Sequence, residues 1–202
     1  MYRTCPTSRA QPPSHAAIVA LIVAATGLGA GTASAADFSL GAGAGADRGR
    51  GRCVESFACD RTDTHWKLFA GWQLGDAFDV QAAYFDAGRF KGGDTTPLGT
   101  EFGGTFEVNG FGLTGGYRWT LAPSWSLAGR LGVAAVRTRF SYADGSTGTA
   151  SETTAQPLAG LGLAYALTPA VRLSLDYDLT RFKVHKSHGS LQMLGVAAQY
   201  SF

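Results

Sequence analysis

The feature that most limits this chain is a two-residue rhythm that marks eight segments between Phe38 and Phe202. In THWKLFAGWQL, Trp66, Leu68, Ala70, Trp72 and Leu74 share one face, opposite His65, Lys67, Phe69, Gly71 and Gln73. Side chains alternate across an extended strand, so this spacing predicts strands and not helices. The same reading covers 38–45, 78–85, 110–119, 125–135, 159–167, 171–180 and the tail LQMLGVAAQYSF. With 28 glycines, which weaken helices and leave room between packed strands, the composition agrees.

The breaks decide the topology. Gly75-Asp76-Ala77, the Thr120 to Ser124 stretch with Pro123, and Thr168-Pro169-Ala170 are turn sequences. Between the other strands lie polar stretches expected as long loops at 47–63, 86–105 and 141–153, with a shorter one at 184–189. Short turns at one end and long loops at the other predict an all-β chain, an eight-stranded antiparallel up-and-down transmembrane β-barrel.

A soluble sandwich or lipocalin-like barrel would turn its bulky face inward. Here one face carries Trp66, Trp72, Trp119, Trp125, Tyr84, Tyr117, Tyr165, Tyr177 and Tyr200, while the other is mostly Gly, Ala, Ser and Thr with single charges. Eight strands enclose only enough space for side chains. The small face is therefore expected inside, filled by small residues and a few ion pairs, with the bulky face in lipid. Trp72, Phe78, Trp119, Trp125, Tyr165, Tyr200 and Phe202 fall near the short turns or the C-terminus, as an interfacial girdle would. Closure of the last strand on the first is required, because lipid offers no partner to an open edge.

The N-terminus points to export. Arg3, Arg9 and His15 precede AAIVALIVAATGLGAG, and Ala33-Ser34-Ala35 supplies the small residues of a cleavage site. A signal peptide over 1–35 and a barrel domain over 36–202 are expected. Cys53 and Cys59 then remain, an even count that in an exported chain suggests a disulfide across a short loop. Two cysteines alone cannot make a tetrahedral metal site, and the nearest His, His65, starts a strand pattern, so a zinc site is only the remote alternative and no cofactor is expected. The chain has 17 Lys and Arg against 15 acids, and loss of Arg3 and Arg9 makes the two signs equal. That balance gives no support to nucleic-acid binding.

The stretch HWKLFAGWQLGDAFDVQAAYFDAGRF, with VNGFGLTGGYRWTLAPSWSLAGRLGV and LAGLGLAYALTPAVRLSLDYDLTRF, resembles the outer membrane protein A transmembrane-domain family of Gram-negative bacteria. The resemblance implies a cell outer membrane location and a terminal aromatic, Phe202 with Tyr200 before it, read by the barrel assembly machinery. It also implies an ion-pair network in the lumen. Members of greater length carry a periplasmic peptidoglycan-binding domain, which is expected to be absent here because the sequence stops at Phe202.

Inward parity places Lys67, Asp79, Arg118, Arg130, Arg172, Asp176 and Asp178 in that lumen. Arg118 and Arg130 are expected to meet Asp176 or Asp178, since unpaired charges in a narrow interior are costly. Independent hydration of each charge is the alternative. Outward parity continues to Arg137, Arg139, Arg181 and Lys183, which cannot lie in hydrocarbon and are candidates to meet lipopolysaccharide phosphates at the outer headgroup level. Solvated strand ends are the plainer reading. Arg48-Gly49-Arg50-Gly51-Arg52 is either a solvated run or a contact for an acidic surface.

His185-Lys186-Ser187-His188 resembles the His-x-Ser motif of outer-membrane lipid A deacylases. In that family the orienting acid lies downstream, and residues 188–202 hold no Asp or Glu. The expected function is therefore non-enzymatic: a small outer-membrane barrel, structural or interacting with host or surface ligands through its loops. A narrow porin-like channel and a lipid A deacylase are the two alternatives.

Overall fold

The structure, a computed structural model, describes residues 38–50, 60–95, 101–142, 149–184 and 187–202. Eight strands run in chain order: β1 (Phe38–Arg50), β2 (Thr62–Leu74), β3 (Phe78–Thr95), β4 (Glu101–Ala122), β5 (Trp125–Tyr142), β6 (Thr149–Ala166), β7 (Val171–Val184) and β8 (Ser187–Ser201). They form a closed barrel in which each strand pairs with its sequence neighbours. β8 closes on β1 antiparallel, with Ser39 opposite Ser201 and Gly45 opposite Gly195. The Phe202 amide then donates to the Phe38 carbonyl at 3.0 Å, so the ladder runs to the last residue.

In the half of the barrel nearer the short turns, most bulky residues point outward, Phe69 being an inward exception. Leu131 is 72% exposed, and Val133, Val196, Leu161 and Leu113 are also exposed. On β5 the outward apolar row runs from Trp125 to Ala135 before meeting Arg137. Ten residue steps of ~3.3 Å at a tilt of ~40° span ~25 Å, the height of a barrel's lipid-facing band. Aromatic pairs line its lower edge: Phe78 and Tyr117 have ring centroids 4.9 Å apart, Trp125 and Tyr165 5.0 Å, and Tyr200 and Phe202 5.0 Å.

Above this band the pattern inverts. Val136, Thr138 and Phe140 of β5 are buried while Arg137 and Arg139 are exposed. Phe85, Phe90, Val108, Val136, Leu158, Phe182, Leu191 and Met193 join in one buried cluster inside the barrel. Where water replaces lipid outside, burial favours bulky residues inside, and the barrel continues as a soluble one would. The expected filling of small residues and ion pairs is thus incomplete, because the outer part of the lumen is packed with large apolar side chains.

A bulge lets β3 follow this inversion. Asp86 pairs with Asn109 but Arg89 pairs with Glu107, so β3 carries one extra residue. The extra residue turns Arg89 outward and Phe90 inward. Gly88 adopts φ +71° there, and its amide donates to Asp86 Oδ1 at 2.9 Å. The polar stretches expected as long loops are accordingly strand over much of their length: β3 reaches Thr95 and β4 begins at Glu101, while β5 reaches Tyr142 and β6 begins at Thr149.

Candidate functional site

Inward side chains find room because glycines face them on neighbouring strands. A Cβ on Gly110 would lie 2.6 Å from the Phe85 ring, and one on Gly116 2.6 Å from Asp79 Oδ1. Gly160 serves the central charges in this way. It pairs with Arg130 on one side and Asp178 on the other, so the two side chains meet over a residue with none of its own.

Four charges form that central layer. Arg130 Nη2 lies 3.2 Å from both Asp176 Oδ1 and Asp178 Oδ1. Lys67 Nζ reaches Asp176 Oδ2 at 2.9 Å and Asp178 Oδ2 at 2.8 Å. Asp176 and Lys67 are buried, and Ser174 Oγ donates to Asp176 Oδ2 at 3.2 Å. Two cations against two anions leave the layer neutral, and its shared hydrogen bonds offset the desolvation of each member. Lys67 also stands 5.7 Å from the centroid of the Phe69 ring.

Arg118 does not join this layer as expected. It shares a register row with Asp176 through Ala128 and Gly162, three strands away. At ~4.8 Å per strand that is ~14 Å, whereas Arg130 is two strands from Asp178. Arg118 Nη1 instead donates to Gln73 Oε1 at 3.3 Å. Asp79 is likewise apart from the layer, lying over Gly116 and acting on Arg172 through space.

The lumen is therefore stratified. Below the charged layer, toward the short turns, Arg118, Arg172, Asp79, Gln73, Gln81 and Gln199 line a polar cavity. Above it lies the apolar cluster. The polar floor was legible, since every one of its side chains has inward parity close to a short turn; most of the apolar lid was not, since its residues lie at strand ends that read as polar breaks or short of the alternating segments.

At the outer rim Arg137, Arg139, Arg181 and Lys183 are all exposed and outward, just above the apolar band. Arg139 shares Glu107 with Arg89, at 3.7 and 3.0 Å. Exposed pairs of this kind contribute ~1 kcal/mol or less. Arg48 and Arg50 project outward at the end of β1. An acidic group that the sequence reading missed lies inside this rim. Asp47 and Asp63 face one another across β1 and β2, and Asp47 Oδ1 accepts from the Asp63 amide at 3.2 Å. Asp47 is only 3% exposed, and burial, with Asp63 and then Asp86 nearby, pushes its carboxyl up to about 7.

Several expected features fall elsewhere. Residues 1–35, Cys53, Cys59, Arg52, His185 and Lys186 lie outside the described residues. Ser187 and His188 begin β8, but their side chains also lie outside the described set. Among the described residues no group of three or more His, Cys, Asp or Glu is placed to hold a metal ion. Tyr200 and Phe202 pack edge to face at the foot of the closing seam, and Phe202 also meets Phe38 at a centroid distance of 6.0 Å.

The OmpA-like transmembrane domain family matches residues 33–195. No curated protein matches the sequence. Among solved structures the fold is similar to Neisserial surface protein A, with a TM-score of 0.63 at 16% identity, covering 84% of this chain and 100% of that one. It is also similar to OprG of Pseudomonas aeruginosa (TM-score 0.52, 15% identity, 83% and 97% covered). Ail, the attachment invasion locus protein of Yersinia pestis, is a third (TM-score 0.51, 16% identity, 82% and 99% covered).

Proposed function

Because this chain belongs to the OmpA-like transmembrane domain family, and so to the Gram-negative outer membrane, we propose that it is a non-enzymatic barrel working at the cell surface through its outer rim and loops. The observation that carries this reading is the inversion above the apolar band. Arg137, Arg139, Arg181 and Lys183 face outward where lipid ends, while apolar side chains plug the lumen behind them. Guanidinium and ammonium groups at that height suit the phosphates of lipopolysaccharide. Loops between the raised strand ends then carry specificity for a host or surface ligand, because they vary without disturbing the barrel.

The test is thermal unfolding of the full chain in bilayers with and without lipopolysaccharide. Lipopolysaccharide is expected to raise Tm of the unaltered protein, and replacement of all four cations by Gln is expected to abolish the increment. An increment that survives the replacement overturns the rim reading.

Assembly through Phe202 and Tyr200 belongs to the same reading: removal of Phe202 is expected to reduce insertion by the barrel assembly machinery. Removal of a signal peptide over 1–35 and formation of a Cys53–Cys59 disulfide give the exported form. Two rivals have direct tests. Packing of Phe85, Val136, Leu158 and Leu191 across the lumen weighs against a narrow channel, and planar-bilayer conductance decides it. The lack of any acid in residues 188–202 weighs against a lipid A deacylase, and deacylation lost in Ser187→Ala would restore it.

A further inference from the structure

The inner part of the lumen holds a charge imbalance that the central layer does not resolve. Lys67 and Arg130 are matched by Asp176 and Asp178. Below them Arg118 and Arg172 enter one cavity from β4 and β7, and the acid in that cavity lining besides Asp176 is Asp79. Among the described residues neither arginine forms an ion pair with an acid. The two guanidinium groups act on each other as like charges, and Asp79 offsets one of them. One positive charge is left over in a half-enclosed space.

A surplus cation held away from bulk water is costly unless something neutralises it. The rest of the lining supplies what an anion needs. Gln73, Gln81 and Gln199 carry amide donors at inward positions around the same space. Two guanidinium forks converging from different strands favour an acceptor with several oxygens over a single-atom ion. Access is from one side. The Arg130–Asp176 pair and Phe69 line the cavity at its upper end, with the apolar cluster beyond, while Trp72, Ser126 and Ser201 place its other end at the short turns. In an outer-membrane barrel those turns face the periplasm.

We propose that the inner half of the lumen is a blind, periplasm-facing binding site for a small oxyanion of the phosphate type, held between Arg118 and Arg172. The site is independent of the outer rim, and its occupant neutralises the vestibule without crossing the barrel.

The full chain, refolded in a phosphate-free detergent, is titrated with inorganic phosphate and followed by 31P line broadening. Saturable binding is expected, with affinity reduced at least tenfold in Arg172→Gln and in Arg118→Gln and unchanged in Arg137→Gln. Added phospholipid is expected not to compete; competition would assign the signal to a headgroup site and overturn the proposal. Should either lumen variant fail to fold, the unaltered protein still decides the matter. Side-chain 15N resonances of Arg172 and Gln199 must shift with phosphate while that of Arg137 does not. Absence of saturable binding, shifts confined to Arg137, or full affinity in Arg172→Gln each overturn it.

Discussion

Arg130 and Asp178 meet at 3.2 Å over Gly160, the residue that pairs with both of them across β6. The contact exists because register puts a long cation and a carboxylate on either side of a position without a side chain. Arg118 lies outside that row, bonded to Gln73.

Double-mutant cycles should separate these two arginines. Removing one partner of a buried pair leaves a desolvated charge and costs ~3–5 kcal/mol. Urea unfolding in bilayers is expected to give a coupling above ~1 kcal/mol for Arg130→Gln with Asp178→Asn, and a value within ~0.5 kcal/mol of zero for Arg118→Gln with Asp178→Asn. Equal couplings would refute the assignment.

The strands and their facing within the apolar band were legible in the sequence, because lipid outside and a filled lumen inside keep period two intact from Trp125 to Ala135. Strand ends were not. At Asp86 a bulge breaks the period, so 86–105 resembles a loop. Partner choice in the lumen was half legible: parity placed Lys67, Arg130, Asp176 and Asp178 inside, but only inter-strand register says which of them meet. Asp47 and Asp63 escaped notice because their pairing joins residues 16 apart through a stretch that reads as polar loop.

The bulge itself is testable at Gly88. Its φ of +71° is costly for a residue with a Cβ, and a Cβ there would sit 2.7 Å from Asp63 Cγ and 3.0 Å from the Thr64 carbonyl oxygen. Gly88→Val is expected to destabilise the barrel by more than ~2 kcal/mol in urea unfolding. Gly75, at φ +80° with nothing within 4 Å, should lose less in Gly75→Asn, since Asn tolerates that conformation.

Lipid contact can be read on one strand. Leu131 stands well inside the apolar row of β5, and Leu131→Arg is expected to cost ~2–4 kcal/mol in bilayers. Arg137 lies at the upper limit of that row, so Arg137→Leu should change stability by less than ~1 kcal/mol. Equal tolerance of both changes would place water, not hydrocarbon, around Leu131.

Stability should fall as pH rises through the range set by Asp47. Its folded carboxyl titrates near 7 and an unfolded Asp near 3.8, so between these values the folded state holds the proton that the unfolded state has released. Folding then binds a proton, and stability is greatest below pH ~4, declines toward pH 7 and is flat above it. The loss is bounded at ~4 kcal/mol by a difference of that size. Asp63 and Asp86 contribute through their charge on the same carboxyl, so Asp47→Asn is the clean comparison. Urea midpoints of the unaltered protein and Asp47→Asn are expected to converge at pH 4 and to diverge by pH 8, with the variant more stable at the higher value. Parallel midpoints across that interval would mean that Asp47 is ionised throughout, and that the two facing carboxylates at the outer rim are held apart by solvent.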